Sequence, residues 1–269
     1  MNKKLLIIIP VILIILVVFI ALNLKRTGLS LPTKAGVSVS ALLNQAKNLE
    51  AKNNLPEAKA AYQNLVNEFP NSAEVMNWQK KTEEINMKLL FSNTVTAGSL
   101  LYEIKPGDTL FKIAKDFNTT PDLIMKSNHL SDGRIIPGRK IKVWNAPFTM
   151  LVDKSQNTLI LKSNEEILKT YIVATGINNS TPVGTFKITN KLPNPTWFKA
   201  GAVVPSGSPE NVLGTRWMGF DLAGYGIHGT TDPQSLGKQV TQGCVRMSNA
   251  DVEELYTIVP VGTEVTIVD

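Results

Sequence analysis

The hydrophobic pattern changes along the chain, and each change marks a segment of a different kind. Leu5 to Leu22 is an apolar run of 18 residues without a charge. It approaches the roughly 20 residues that cross a bilayer as a helix. Residues 27–37 are rich in Gly, Ser, Thr and Pro and read as a tether. Over 38–90 a 3.6-residue period takes over. Ala58, Ala61, Tyr62, Leu65, Val66 and Phe69 share one face, Pro56 fits a first turn, and Pro70-Asn71-Ser72 breaks the pattern before Ala73 to Leu90 resumes it. Residues 100–144 read as β-α-α-β. A strand through Tyr102 and Ile104 meets a turn at Gly107, and Asp108 is placed to cap a helix carrying Leu110, Ile113, Ala114 and Phe117. Thr120-Pro121 opens a second helix, and Pro137-Gly138 leads to a closing strand at Ile141 and Val143.

From Pro147 onward the period shortens to two. Phe148–Asp153, Thr158–Lys162, Ile167–Ala174, Thr185–Thr189, Arg216–Leu222 and Val265–Val268 are short β-rich stretches separated by Gly, Pro, Asn and Ser. Helical pieces interrupt them around Pro233–Lys238 and at Asn249–Ile258, the latter with Ser248 as N-cap. The pattern predicts a mainly-β domain, a sandwich or barrel-like core decorated by loops.

No small-x-small cleavage pattern follows the first apolar run, which leaves through Ala21-Leu22-Asn23-Leu24-Lys25-Arg26. The expectation is an uncleaved transmembrane anchor over 5–24, with a removed signal peptide as the alternative. Lys3 and Lys4 before the run nearly balance Lys25 and Arg26 after it, so charge alone does not orient it. A cytoplasmic N-terminus is chosen because the later domains look extracytoplasmic. The formal charge of +6 is divided as +5 over 1–99, +3 over 100–145 and −2 over 146–269. Nucleic acid would want a concentrated basic face, which is not seen. An anionic membrane surface or wall polymer suits the pattern better.

Cys244 is the only cysteine, and His228 is one of two histidines. One sulfur excludes an internal disulfide, and too few N/S ligands remain for a good zinc site. A lone Cys with a distant His is an inventory for thiolate catalysis, in which the imidazole takes the thiol proton. Gly229 and Gly243 flank the pair and allow close backbone approach. Backbone N–H groups near Gly243–Cys244 are candidates to stabilise an oxyanion. His129 lies in a loop and reads as solvated rather than catalytic.

Three resemblances sharpen this reading. Residues 46–70 resemble one tetratricopeptide-type hairpin; the segment 38–90 is either a helical spacer that packs on a neighbour or itself, or a repeat that binds a protein partner. Gly107-Asp108-Thr109-Leu110, Ile113-Ala114, Asn128 and Pro137-Gly138 resemble a LysM module over 100–144. That family implies binding to N-acetylglucosamine-containing polymers such as peptidoglycan. Thr181-Pro182-Val183-Gly184-Thr185-Phe186, Ile227-His228-Gly229-Thr230 and Gly243-Cys244-Val245-Arg246-Met247, with Asn249 and Asp251, resemble the L,D-transpeptidase catalytic domain over 147–269.

The last resemblance implies that Cys244 is the nucleophile and His228 the general base and acid, with no cofactor or metal. The residue before Gly-Cys is often a second His in that family; here it is Gln242, preceded by Thr241. The implied reaction is attack on a peptidoglycan tetrapeptide stem with release of D-Ala, then transfer to a neighbouring stem as a 3→3 cross-link. An L,D-carboxypeptidase or other cell-wall cysteine hydrolase, and an inactive peptidoglycan-binding scaffold, are the alternatives. Arg246 either orders the nucleophile loop or pairs with a stem carboxylate. Trp197, Trp217 and Tyr225 either pack loops or stack on substrate. The expected location is the bacterial cell membrane, single-pass, with the catalytic domain outside the cytoplasm.

Overall fold

The computed structural model describes residues 38–199 and 201–269. The anchor expected over 5–24 and the tether over 27–37 lie outside the described residues. Among those described, no helix is long and apolar enough to cross a membrane.

Three helices come first: α1 (Val39–Ala51), α2 (Leu55–Glu68) and α3 (Val75–Leu90). The Ser38 hydroxyl caps α1 by accepting from Ala41 N–H, and Asn53 makes the turn into α2 at a positive φ of 57°. Ala46, Ala58, Tyr62, Leu65, Trp78, Ile85 and Leu89 close their shared core. A lone hairpin would leave a face open. The third helix covers one side, and α3 in turn packs on the edge of the catalytic sheet. There Asn86 Nδ2 donates to Ile167 O (2.9 Å), Thr170 Oγ1 donates to Glu83 (2.8 Å), and Lys59 pairs with Glu166. The helical segment therefore packs on a neighbour within its own chain.

The next module pairs β1 (Ser99–Glu103) antiparallel with β2 (Lys140–Trp144), with α4 (Leu110–Asp116) and α5 (Pro121–Ser127) between them. Ile104, Leu110, Ile113, Ile124, Ile141 and Val143 form its core. The cap of α4 is Thr109, not Asp108. Thr109 has the extended backbone (φ −130°, ψ 154°) that aims its hydroxyl at Lys112 N–H. Asp108, one residue earlier, instead accepts from Lys105 N–H (2.8 Å) and Tyr102 Oη (2.7 Å) and closes the preceding turn. Lys142 is 1% exposed, and its Nζ donates to the carbonyls of Leu89 (2.6 Å), Leu90 (3.3 Å) and Ser92 (2.8 Å). An ammonium thus satisfies the C-terminal carbonyls of α3 and ties two modules together. On another face, Thr120 donates its hydroxyl to Thr257 O, which joins the start of α5 to the catalytic domain.

The remaining strands are β3 (Phe148–Asp153), β4 (Thr158–Ser163), β5 (Glu166–Ile172), β6 (Thr175–Gly176), β7 (Gly184–Pro193), β8 (Trp197–Lys199), β9 (Ala202–Val204), β10 (Arg216–Phe220), β11 (Gly226–His228), β12 (Gln239–Thr241), β13 (Val245–Arg246) and β14 (Glu264–Val268). The helix α6 (Asn249–Ile258) precedes β14, with Ser248 as its N-cap as expected. Eight strands form one mixed sheet in the order β13-β11-β10-β7-β14-β3-β4-β5. This is not a two-sheet sandwich. The sheet curls until Ala174, just past β5, exchanges two 2.8 Å backbone hydrogen bonds with Arg246 on β13. The inner face and α6 bury Met150, Val152, Leu159, Leu161, Met218, Ile227, Val252 and Leu255. Curling brings the short strands β11 and β13 to the place where the sheet nearly closes.

Candidate active site

His228 ends β11, and Cys244 stands immediately before β13. These two strands run parallel, with Ile227 opposite Val245 and His228 opposite Arg246. That register makes His228 and Cys244 diagonal neighbours on one face. Both line a cleft of about 650 Å3, together with Arg246, Thr241, Gln242 and Tyr225. Residues 16 positions apart in the chain are united by a pair of strands only two to three residues long.

His228 is 3% exposed. Its Nδ1 lies 2.6 Å from Gly229 O. A carbonyl can only accept, so Nδ1 carries the proton and Nε2 is left bare as a base. Trp217, opposite His228 on β10, stacks on the imidazole with ring centroids 6.0 Å apart and an interplanar angle of 19°. Its Nε1 donates to Asn190 Oδ1 (3.1 Å), which holds the indole in place. Burial pushes the imidazole pKa down to about 4, and the nearby Arg246 charge adds to this while the Gly229 carbonyl opposes it. Burial likewise raises the Cys244 thiol above its ordinary range, against the lowering effects of the Gly226 backbone and Arg246. Burial disfavours the charged form of each group, most strongly at His228, while Cys244 is only half-buried.

The turn that carries Cys244 is held by Thr241. Its buried hydroxyl accepts from Gly243 N–H (3.2 Å) and donates to Cys244 O (2.7 Å). Gly243 has φ +128°, and a Cβ there would lie 2.7 Å from the Tyr225 ring. Glycine is required on both counts. The Gly243 amide is thus engaged by Thr241. Gln242 is exposed at the cleft wall. Arg246 contacts Asp232 only loosely (4.0 Å), and its buried Nε has no partner among the described residues.

Gly229 follows His228 and packs against the start of α6. A Cβ on it would sit 2.2 Å from Asn249 Oδ1. Trp197, Trp217 and Tyr225 all line the cleft; Trp217 packs on His228 and Tyr225 on the turn at Gly243. His129 lies outside it, exposed on a left-handed residue after α5. Sequence reading missed the hairpin β8–β9, whose Trp197 and Phe198 reach the cleft, because strands of three residues carry no visible period. The Pro- and Gly-rich stretch 193–214 between two strands was the available signal. Among the described residues, no group of three or more His, Cys, Asp or Glu side chains could hold a metal ion.

A half-buried Cys244 and a buried His228 share one cleft on a curled mainly-β domain that follows a small β-α-α-β module. The family model of the L,D-transpeptidase catalytic domain matches residues 147–267, and that of the LysM domain matches 102–144. The chain is 39% identical over 176 residues to a Bacillus licheniformis protein named "Putative L,D-transpeptidase YkuD", covering 62% of this chain and 98% of that one. Its namesake in Bacillus subtilis (strain 168) is 38% identical over 175 residues, with the same coverage. A solved L,D-transpeptidase from Mycobacterium smegmatis is similar over 50% of this chain and 65% of its own, at 22% identity and a TM-score of 0.40. The chain belongs to the L,D-transpeptidase family, with a LysM domain ahead of its catalytic domain. These two domains imply binding to peptidoglycan.

Proposed function

We propose that the chain is a peptidoglycan L,D-transpeptidase that forms 3→3 cross-links through a thioester on Cys244. The observation that carries this is the single cleft holding Cys244 and a histidine whose Nδ1 is engaged by Gly229 O, so that only Nε2 can receive the thiol proton. The donor is a tetrapeptide stem. As Sγ bonds to the carbonyl carbon of the third residue, the thiol proton passes to His228 Nε2. The bond to the terminal D-Ala then breaks, and the imidazolium returns the proton to the leaving amine. The side-chain amine of a second stem attacks the thioester, gives its proton to His228, and Cys244 recovers its own. The Cys244 amide, which has no acceptor among the described residues, is the backbone donor nearest the developing oxyanion. The unpartnered Arg246 Nε supports an Arg–carboxylate contact with a stem. The LysM domain holds the enzyme on glycan and raises local substrate concentration. In this reading the apolar N-terminal run anchors the protein in the membrane, with its catalytic domain outside the cytoplasm.

The test is incubation of the protein with purified tetrapeptide muropeptides and mass analysis of the products. Cross-linked dimers that vanish in Cys244→Ala are expected. Tripeptides alone would make the enzyme an L,D-carboxypeptidase, and unchanged substrate would make it a binding scaffold.

A further inference from the structure

Asn249, the first residue of α6, contacts neither the sulfur nor the imidazole, yet it meets both elements that hold the imidazole. Its Oδ1 accepts from Thr230 N–H (3.1 Å) and from Thr215 N–H (3.1 Å). Thr230 N–H and Gly229 C=O belong to one planar peptide group. That same group accepts the Nδ1 proton of His228 at 2.6 Å. Thr215 immediately precedes β10, which carries the Trp217 ring stacked on the imidazole. One amide oxygen therefore pins the peptide that sets the tautomer and the start of the strand that sets the ring plane.

A second observation is independent of the hydrogen bonds. A Cβ on Gly229 or on Gly214 would fall 2.2 Å from the same Oδ1. Two glycines vacate the space into which this one oxygen projects. Gly229 is thus a site residue for what it lacks, and its neighbour in the motif matters as the entry point for Asn249.

We propose that Asn249 is the positioning residue of His228, acting through the Gly229–Thr230 peptide to keep the proton on Nδ1 and Nε2 bare toward Cys244. A neutral acceptor suits the task. It orients the peptide and polarises its carbonyl along the chain Oδ1···H–N–C=O···H–Nδ1 without placing a carboxylate near the base. Without it, the peptide can rotate, the carbonyl leaves Nδ1, and the imidazole is free to carry its proton on Nε2 instead. The tautomer claim is structural; its effect on turnover rests on His228 being the proton carrier, as proposed above.

The chain has only two histidines, and the exposed His129 serves as an internal reference. The full chain with 15N-labelled histidine is compared as wild type, Asn249→Ala and Asn249→Asp. Wild type shows His228 as the Nδ1–H tautomer. In Asn249→Ala, Nε2–H signal appears for His228 alone, and alkylation of Cys244 by iodoacetamide slows about tenfold. Asn249→Asp retains both acceptor bonds, keeps the Nδ1–H tautomer and alkylates within about threefold of wild type. An unchanged His228 tautomer in Asn249→Ala, or its loss in Asn249→Asp, overturns the proposal. Should Asn249→Ala fail to fold, Asn249→Asp alone decides by the same criterion. None of these readouts needs transpeptidase turnover, so they stand even if the muropeptide assay fails.

Discussion

The cleft around Cys244 and the junction around Lys142 are built from the same parts, a buried nitrogen and backbone carbonyls, but they leave different things behind. At the junction, the carbonyls of Leu89 and Leu90 at the end of α3 and of Ser92 just beyond it take up the Lys142 ammonium, and no donor is left over. At the cleft, one carbonyl takes one nitrogen of His228, and the second nitrogen is left bare in a water-poor pocket. The first arrangement is fully satisfied and fixes structure. The second is satisfied on one side only and is ready to move a proton. A buried polar group is readable as structural or chemical from how many of its bonds remain unmade.

The strongest way to break this comparison is to remove the reactive groups themselves. Cys244→Ala should lower muropeptide turnover by at least about 10³-fold while leaving the melting temperature nearly unchanged. Thermal melting and product mass read the two sides. Loss of folding instead would place the sulfur in a structural role.

Next in size is the pH dependence of stability. His228 sits near 4 when folded and near 6.5 when unfolded. Between those values the unfolded chain binds a proton that the folded chain refuses. Stability present above pH 6.5 is therefore lost as pH falls toward 4, by on the order of 3 kcal/mol. Denaturant titrations at pH 7 and 4.5 measure it, and His228→Gln should flatten this part of the profile. The raised Cys244 thiol has a kinetic counterpart: its alkylation rate should still be climbing at pH 9 rather than reaching a plateau near neutrality.

Lys142→Met tests the other side. It removes the ammonium donor from the Leu90 and Ser92 carbonyls, while Leu89 O keeps its bonds from Ser92, and should cost about 2 kcal/mol. Hydrogen exchange at the end of α3 should quicken, with Cys244 alkylation at 25 °C unaltered. A fall in alkylation would show that the two regions are coupled. The smallest effect belongs to the α3–β5 seam. Glu83→Gln weakens one exposed hydrogen bond from Thr170 and should shift stability by less than about 0.5 kcal/mol.

Legibility followed length and locality. Strand β3 and helix α6 occupy the residues their periods predicted, because each carries a full local pattern and, for α6, its own cap. The hairpin resemblance over 46–70 and the resumed period from Ala73 match the three helices, but the turn at Asn53, which depends on a left-handed residue, carries little periodic signal. Asp108 looked like the cap because Asp is a good one; the backbone angle one residue later decided for Thr109. The strands β8, β9, β11 and β13, of two or three residues each, exist through their partners rather than through propensity.

By itself, the amino-acid sequence determined the order of the LysM and catalytic modules, their helical and β character, the family, and the candidate pair Cys244 and His228. These are properties of composition, period and residue type, and they are local. Only the tertiary structure decided that eight strands share one curled sheet, that the helices pack on its edge, that the Gly243 amide is engaged by Thr241, and that burial pushes the thiol pKa up and the imidazole pKa down. Each of those depends on burial and on hydrogen bonds between residues far apart in the chain. No local pattern encodes how much water a folded neighbour excludes.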